Sequence, residues 1–232
     1  MIKFKVSEET KKKENRGEGH GADYKPYIKV NEFNSLGTTC NPIDWKTGRT
    51  MHLLSMGEMY VYYILRFNDE VVDIREQFPL ELEETLAIAE ELGYKHPKNK
   101  STRMTSDLLV DYKNGKQEVF SIKANMHDLE NKRTAEKLKI EQLYWERKDI
   151  KYNIILSNSI DIDTVTNIRL AVEFYKKEDV YDEISFIKHL IATKQLPVDV
   201  TNGLINYSKL RKELTHDESY IEISNRMYPT ER

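Results

Sequence analysis

The clearest alternation of apolar and polar residues lies between Ser106 and Lys123. Apolar and β-branched residues flank Asn114-Gly115 on both sides, and this dipeptide is the strongest short-range signal for a β-hairpin. The pattern therefore predicts two antiparallel strands joined by a tight turn. The first strand carries an acid, Asp107, and the second carries a base, Lys123, at its end.

The length of this turn decides whether the two charges share a face. Side chains alternate along a strand, so a slip of one residue reverses each of them. A two-residue loop pairs Asp107 with Ile122 and leaves Lys123 on the opposite face. A three-residue loop with Gly115 in the left-handed region pairs Asp107 with Ser121, and both then point the same way as Lys123. The sequence leaves both registers open.

Further segments around the hairpin show helical or strand periodicity. Residues 55–67 predict a largely buried helix with Ser55 as its N-cap and Glu58 at the capping-box position. The other predicted elements are a strand at 71–78, a helix at 83–92, a long basic helix at about 127–148 and a buried strand at 152–156, parallel to its neighbour. This order predicts an α/β fold with a mixed central sheet flanked by helices.

The two ends of the chain differ from this central part. Residues 1–22 are polar and end in a glycine-rich run, which predicts a flexible N-terminal arm. After residue 161 the pattern is helical, at about 163–176, 181–193 and 208–214, with a strand indicated at 220–223. A winged helix fits this pattern, and helical protein-docking modules share it. We therefore predict an arm over 1–22, a main domain over 23–160 and a small helical C-terminal domain over 161–232.

Composition limits the class of protein. Of the 232 residues, 39% are hydrophobic and 32% are charged, which is enough apolar material for a core. No apolar run has the length of a membrane span or a signal peptide, so we expect a cytoplasmic protein that does not contact a membrane. The single cysteine, Cys40, excludes an internal disulfide and a cysteine-based zinc site.

Charge gives no overall sign of nucleic-acid binding. The net charge is −3, whereas proteins that bind nucleic acids usually have a basic excess. Contact with DNA would have to be local, and a solvated charged face is the alternative for each basic patch. The patches are 11–13, 95–103 and the basic positions within 132–139, and the candidate DNA contacts in them are Lys98, Lys100, Arg103, Lys132 and Arg133.

An acid and a lysine on adjacent strands form the skeleton of a metal-dependent site that cleaves phosphodiester bonds. The carboxylate holds a hard divalent cation, while the ammonium orients the attacking water and offsets charge on the phosphoryl group. Charged residues on the outer face of a hairpin are also ordinary. Glu58 would add a second acid from a helix, and its alternative role is that of capping partner to Ser55.

Several sequence blocks together resemble the TnsA family. They are 48–55 (GRTMHLLS), 75–80 (REQFPL), 96–97 (HP), 105–110 (TSDLLV) and 139–145 (KIEQLYW), within a resemblance that spans about residues 17–170. TnsA proteins are the endonuclease subunits of heteromeric, cut-and-paste bacterial transposases, in the restriction-endonuclease-like PD-(D/E)XK nuclease superfamily. The resemblance implies that core fold and a nuclease that cuts the 5′ strands of double-stranded DNA at transposon ends. It also implies two protein partners, a DDE-type transposase subunit and an ATPase regulator.

By position, the resemblance assigns the catalytic acid, acid and lysine to Glu58, Asp107 and Lys123. Ser121 departs from the wider pattern, which has an acid two residues before the lysine, and TnsA relatives tend to have glutamine there. Serine is a shorter, neutral ligand. The expected cofactor is Mg²⁺, with Mn²⁺ as a substitute, held by both acids, the backbone carbonyl of Ile122 and waters, and only weakly by Ser121.

Two more residues are candidates for a supporting role. Gln77 is a candidate partner for Glu58. Glu141, on the predicted helix after Lys123, is a candidate acid behind the site or at a second metal, although the residues alone favour a solvated helix charge.

Two other functions stay open on the sequence. Another enzyme with the same core, such as a restriction enzyme or a junction resolvase, would cut DNA without partners. The second alternative is a DNA-binding or assembly subunit that has the same fold but no catalytic activity. Ser121 is the feature that favours it.

Overall fold

We describe a computed structural model of the chain, over residues 6–32, 38–97 and 101–227. The chain divides into two compact units, Met1–Ile160 and Asp161–Arg232. Within the described ranges, no helix combines the length and the apolar character needed to cross a membrane.

The described part of the first unit is built on a four-stranded sheet. Its strands are β1 (Val71–Pro79), β2 (Thr105–Tyr112), β3 (Gln117–Lys123) and β4 (Lys151–Leu156), which lie side by side in that order. The first two neighbouring pairs are antiparallel, and β3 and β4 are parallel. The α/β class and the mixed central sheet predicted from the sequence are therefore confirmed.

Helices flank this sheet and cover its core. They are α1 (Glu8–Lys13), α2 (Met56–Phe67), α3 (Leu82–Glu91), α4 (Met126–Glu130) and α5 (Lys132–Glu146), with short 3₁₀ turns at Gly21–Asp23, Val30–Glu32 and Ser157–Ser159. Helices α3 and α5 pack together over the sheet. The buried cluster between them consists of Leu80, Ile88, Ala89, Met104, Leu109, Val119, Ile140, Tyr144 and Trp145.

The turn between β2 and β3 settles the register that the sequence left open. Gly115 has a φ of +79°, and its N–H donates to the carbonyl of Tyr112 at 2.9 Å. This is the three-residue loop. Leu108 pairs with Phe120, and the same register extended by one residue places Asp107 opposite Ser121. These two residues and Lys123 therefore share one face of the sheet.

Two predicted elements differ in detail. The long basic helix is interrupted at Asn131, whose backbone leaves the helical region with a ψ of 115° and whose side chain caps α5 by accepting the N–H of Thr134 at 3.0 Å. Strand β4 is parallel to β3 as predicted but is not fully buried. Because β4 is the last strand of the sheet, Ile154 remains 41% exposed.

The described part of the predicted N-terminal arm, residues 6–22, has defined structure. Arg16 is buried and forms an ion pair with Glu32 at 2.6 Å. The N–H of Gly21 donates to Asp73 of β1 at 2.8 Å. Gly17, like Gly21, has a positive φ. The glycines therefore form tight turns that hold this segment against the sheet, and they do not form the loose linker expected from composition.

The second unit is helical, as predicted. It contains α6 (Ile162–Val172), α7 (Glu183–Ala192), α8 (Tyr207–Leu214) and α9 (Glu218–Met227), with a 3₁₀ turn at Lys177–Asp179. The buried side chain of Asn167 organises the loop before α8. Its amide donates to the carbonyls of Val200 and Gly203 at 2.9 and 2.8 Å and accepts the N–H of Ile205 at 3.0 Å.

The strand indicated at 220–223 is wrong, because these residues lie within α9. Asp217 caps this helix: its side chain accepts the N–H of Tyr220 at 3.0 Å, and its carbonyl accepts the N–H of Ile221 at 3.0 Å. No strand is present among residues 161–227, so this part of the chain lacks the wing of a winged helix.

Candidate active site

An open cavity of about 540 Å³ lies where β2 and β3 meet the start of α2. Its lining includes all three predicted catalytic residues, Glu58, Asp107 and Lys123, together with Gln77 and Ile122. A helix and two neighbouring strands therefore bring the acid, acid and lysine to one place.

Asp107 and Lys123 form an ion pair across the hairpin. Oδ2 of Asp107 lies 3.6 Å from Nζ of Lys123 and accepts the N–H of Ile122 at 2.7 Å. Nζ also donates to the hydroxyl of Ser121 at 3.1 Å and to the carbonyl of Ile122 at 2.8 Å. The two charged side chains are 22% and 18% exposed, so they face the cavity and not the core.

Glu58 is both a capping residue and part of the cavity wall. Its N–H donates to Ser55 Oγ at 3.1 Å, and the Ser55 hydroxyl donates to Oε1 at 3.0 Å. Oε2 accepts the N–H of Leu54 at 2.8 Å and Nε2 of Gln77 at 3.1 Å. The two roles weighed from the sequence are therefore compatible, because the capping contacts fix the carboxylate at the edge of the cavity.

Gln77 holds Glu58 from an unusual backbone position. It is buried within β1, yet its φ is +49°, in the region that favours glycine. For other residues this conformation costs on the order of 1–3 kcal/mol and persists only where the surroundings impose it. The amide also accepts the hydroxyl of Thr105 at 3.3 Å, which leaves its NH₂ group to donate to Glu58.

The electrostatics of Glu58 depend on the neighbouring acid. Burial, and then the negative charge of Asp107, raise the pKa of Glu58 to about 8. The hydrogen bonds from Leu54, Ser55 and Gln77 act in the opposite direction but do not offset this. In the chain alone, at neutral pH, this carboxyl group therefore favours its protonated form.

Glu141 is a buried acid beneath the same site. Burial and then the charge of Asp107 raise the pKa of Glu141 to about 7, while an interaction with the Ser106 hydroxyl and then the charges of Lys137 and Lys123 lower it. Among the described residues its Oε1 has no hydrogen-bond partner. A solvated helix charge, the interpretation that the sequence favoured, is wrong, because Glu141 is 2% exposed.

The donor set fits a hard divalent cation. Three carboxylates, those of Glu58, Asp107 and Asp128, line the cavity, and that of Glu141 lies behind it. Burial, and then repulsion by the charge of Asp107, raise the pKa values of Glu58 and Glu141. A cation would relieve this repulsion, and carboxylate oxygens are the ligands that Mg²⁺ and similar ions prefer. The hydroxyl of Ser121 and the carbonyl of Ile122 point to the same region but already accept hydrogen bonds from Lys123. The carboxylates of Glu58 and Asp107 are therefore better placed as ligands than these two oxygens.

The predicted DNA contacts lie away from this cavity or outside the described residues. Lys98 and Lys100 belong to the latter group. Arg103 forms an ion pair with Glu81 at 3.2 Å. Lys132 and Arg133 are exposed at the start of α5, where Arg133 is paired with Glu136 at 2.9 Å. None of these three described residues lines the cavity.

A second group of potential metal ligands was not anticipated from the sequence. His20 Nδ1 lies 3.7 Å from Asp73 and 3.9 Å from Asp111. The two acids lie opposite each other in β1 and β2, and that pairing was the available signal. Asp111 is already paired with Arg75 at 2.8 Å, and Asp73 accepts a backbone N–H from Gly21. These partners satisfy much of the acidic charge, so the cavity around Asp107 is the better candidate.

Comparison with known proteins gives a family. A family profile described as "TnsA-like endonuclease N terminal" matches residues 68–157, which include Asp107, Lys123 and Glu141. The chain is also 37% identical, over 188 residues, to "Transposon Tn7 transposition protein TnsA" from Escherichia coli, and the match covers 78% of this chain and 69% of that protein. The chain therefore belongs to the family of TnsA-like endonucleases.

Proposed function

We propose that this chain is the Mg²⁺-dependent endonuclease subunit of a heteromeric transposase and that it cuts the 5′ strands at transposon ends. The observation that carries the proposal is the convergence of Glu58, Asp107 and Lys123 on one cavity, in a chain of the TnsA family. The cavity is open, so a phosphodiester of duplex DNA has access to it.

Glu58 and Asp107 hold the cation in this proposal, with the carbonyl of Ile122 and waters completing its shell. Ser121 contributes only weakly, since its hydroxyl already accepts a hydrogen bond from Lys123 at 3.1 Å. Mg²⁺ suits such a site because it retains several of its waters, and Mn²⁺ is expected to substitute. When bound, the cation polarises the phosphate and lowers the pKa of a coordinated water.

Three other side chains of this protein orient the attacking water, position Glu58 and add negative charge near the cation. Lys123 lies 3.6 Å from Asp107, where its ammonium can orient the attacking water and offset charge that develops on the phosphoryl oxygens. Gln77 keeps the carboxylate of Glu58 turned toward the cavity through the 3.1 Å hydrogen bond. Glu141 lies behind Asp107 and adds negative charge that favours binding of a cation.

The proposed partners follow from the family. A DDE-type transposase subunit would cut the 3′ strands at the same ends, and an ATPase regulator would control assembly. We assign the contact with the regulator to the helical unit Asp161–Arg232. Removal of residues 161–232 is then expected to abolish capture of the chain by the regulator, and continued capture of a folded 1–160 fragment contradicts this assignment.

Cleavage by the reconstituted complex tests the function. Duplexes carrying transposon ends are incubated with the transposase partner and Mg²⁺, and 5′-strand products are measured for the wild type, Asp107→Ala and Lys123→Ala. Both variants should fail to cut the 5′ strand yet unfold at about the wild-type temperature. Lys113→Ala, at the exposed end of the hairpin, is the matched control.

Two outcomes contradict the proposal in different ways. If Asp107→Ala cuts the 5′ strand at the wild-type rate, the catalytic site does not lie in this cavity. Efficient cutting of bare DNA by the purified chain, without any partner, indicates an independent nuclease such as a restriction enzyme or a resolvase.

A further inference from the structure

A second lysine lines the cavity and has no role in the site described so far. Lys137 lies on α5, one turn before Glu141, and is half-buried in the cavity wall. Helical residues four apart lie on the same face, so Lys137 and Glu141 both face the end of the sheet that carries Asp107. The charge of Lys137 acts on Glu141 by lowering its pKa.

The two lysines of the cavity differ in their partners. The ammonium of Lys123 is already engaged by Ser121, Ile122 and Asp107. Lys137, in contrast, has no hydrogen-bond or ion-pair partner within the parts of the chain that the structure describes. Its three N–H donors remain available to a ligand in the cavity.

Other basic residues of the same helix are differently placed. Arg133 is paired with Glu136, and Lys139 is exposed and bonds Gln142 at 3.3 Å. Neither lines the cavity. A positive charge at Lys137 is thus specific to the site and is not a general property of a basic helix surface.

We propose that Lys137 binds a non-bridging oxygen of the DNA phosphate that enters this cavity. The inference rests on the proposed nuclease function and adds a substrate-binding residue to it. A phosphodiester has two non-bridging oxygens, and a site that binds one at a cation leaves the other in need of a donor. Lys137 supplies that donor from α5, so it holds the phosphate in place for attack by the water that Lys123 orients.

The test compares Lys137→Met with Lys137→Arg and with Lys139→Met as the matched control. Single-turnover cutting by the reconstituted complex should fall about 10- to 100-fold in Lys137→Met, the range for losing one charged hydrogen bond to the reacting group. Lys137→Arg keeps a cationic donor and should retain most of the rate. Lys139→Met should cut like the wild type.

Binding of Mn²⁺ to the full chain, measured by calorimetry without DNA, separates this role from a structural one. Lys137→Met should bind Mn²⁺ as tightly as the wild type or more tightly, because removing a cation lowers the repulsion that the ion meets. Wild-type cutting by Lys137→Met, an equal loss in Lys139→Met, or loss of Mn²⁺ binding in Lys137→Met would each overturn the inference. If Asp107→Ala still cuts, or the wild type does not cut, the proposed function itself fails.

Discussion

The raised pKa of Glu58 makes a quantitative prediction about stability in the absence of metal. The folded chain holds this carboxyl at a pKa of about 8, against an ordinary value of 4.5 that applies once the chain unfolds. Below pH 4.5 the group is protonated in both states and contributes nothing. Between pH 4.5 and 8 the unfolded chain releases the proton and the folded chain keeps it, so the free energy of unfolding falls as pH rises.

The size of this effect follows from linkage. One proton corresponds to about 1.4 kcal/mol per pH unit, so the full interval corresponds to about 5 kcal/mol. Glu58→Gln replaces the titratable carboxyl group with an amide of nearly the same shape. Its oxygen can accept the N–H of Leu54 and the amide of Gln77, and its NH₂ can donate to the hydroxyl of Ser55. Relative to the wild type, this variant should gain stability steadily from pH 5 to pH 8.

Urea denaturation in EDTA at several pH values measures this difference, with Glu90→Gln on the exposed side of α3 as the control. Adding Mn²⁺ at pH 8 should raise the stability of the wild type, because cation binding favours the ionised carboxylate, and should raise that of Glu58→Gln much less. Parallel pH curves for the wild type and Glu58→Gln would refute the argument. Burial and the charge of Asp107 would then not raise the pKa of Glu58 in the folded chain.

Three further predictions concern packing, buried charge and the cofactor. A Cβ at Gly57 would lie 2.7 Å from Cβ of Ser157 and 3.1 Å from Cγ2 of Ile122, so Gly57→Ala should lower the free energy of unfolding by about 1–3 kcal/mol in urea titrations. Arg49→Met leaves the fully buried Glu76 without its 2.7 Å ion pair and should cost about 3–5 kcal/mol in the same assay at neutral pH. Chelation by EDTA should abolish 5′-strand cutting by the reconstituted complex, and excess Mg²⁺ should restore it.

Local sequence signals were sufficient for the central hairpin and for the helix that carries Glu58. Asn114-Gly115 marks a turn and Ser55 marks a helix start because each acts through its own backbone geometry. Neither signal determines the register of the two strands, because the same dipeptide is compatible with a two-residue and with a three-residue loop. Only the pairing across the sheet, which depends on the whole domain, places Asp107 and Lys123 together.

The burial of the acidic side chain of Glu141 could not be predicted from the sequence. Glu141 stands in a helix rich in lysine and glutamate, where an acid ordinarily faces water. Its burial depends on how α5 lies over the sheet, where Trp145, one turn later, bonds the hydroxyl of Ser106 at 2.8 Å. The left-handed backbone of Gln77 likewise has no local signature. In α9, by contrast, the N-cap Asp217 was a usable signal that the apolar run after it obscured.

The turn at Gly115 also has an implication for how this enzyme tolerates change. Surface loops usually accept insertions and deletions with little effect. Removing one residue here would shift β3 by a single position and rotate the lysine to the far side of the sheet, about 26 Å along the strand from the edit. Active relatives are therefore expected to vary this loop in steps of two residues, and a grafted hairpin of the wrong parity should yield a folded protein without nuclease activity.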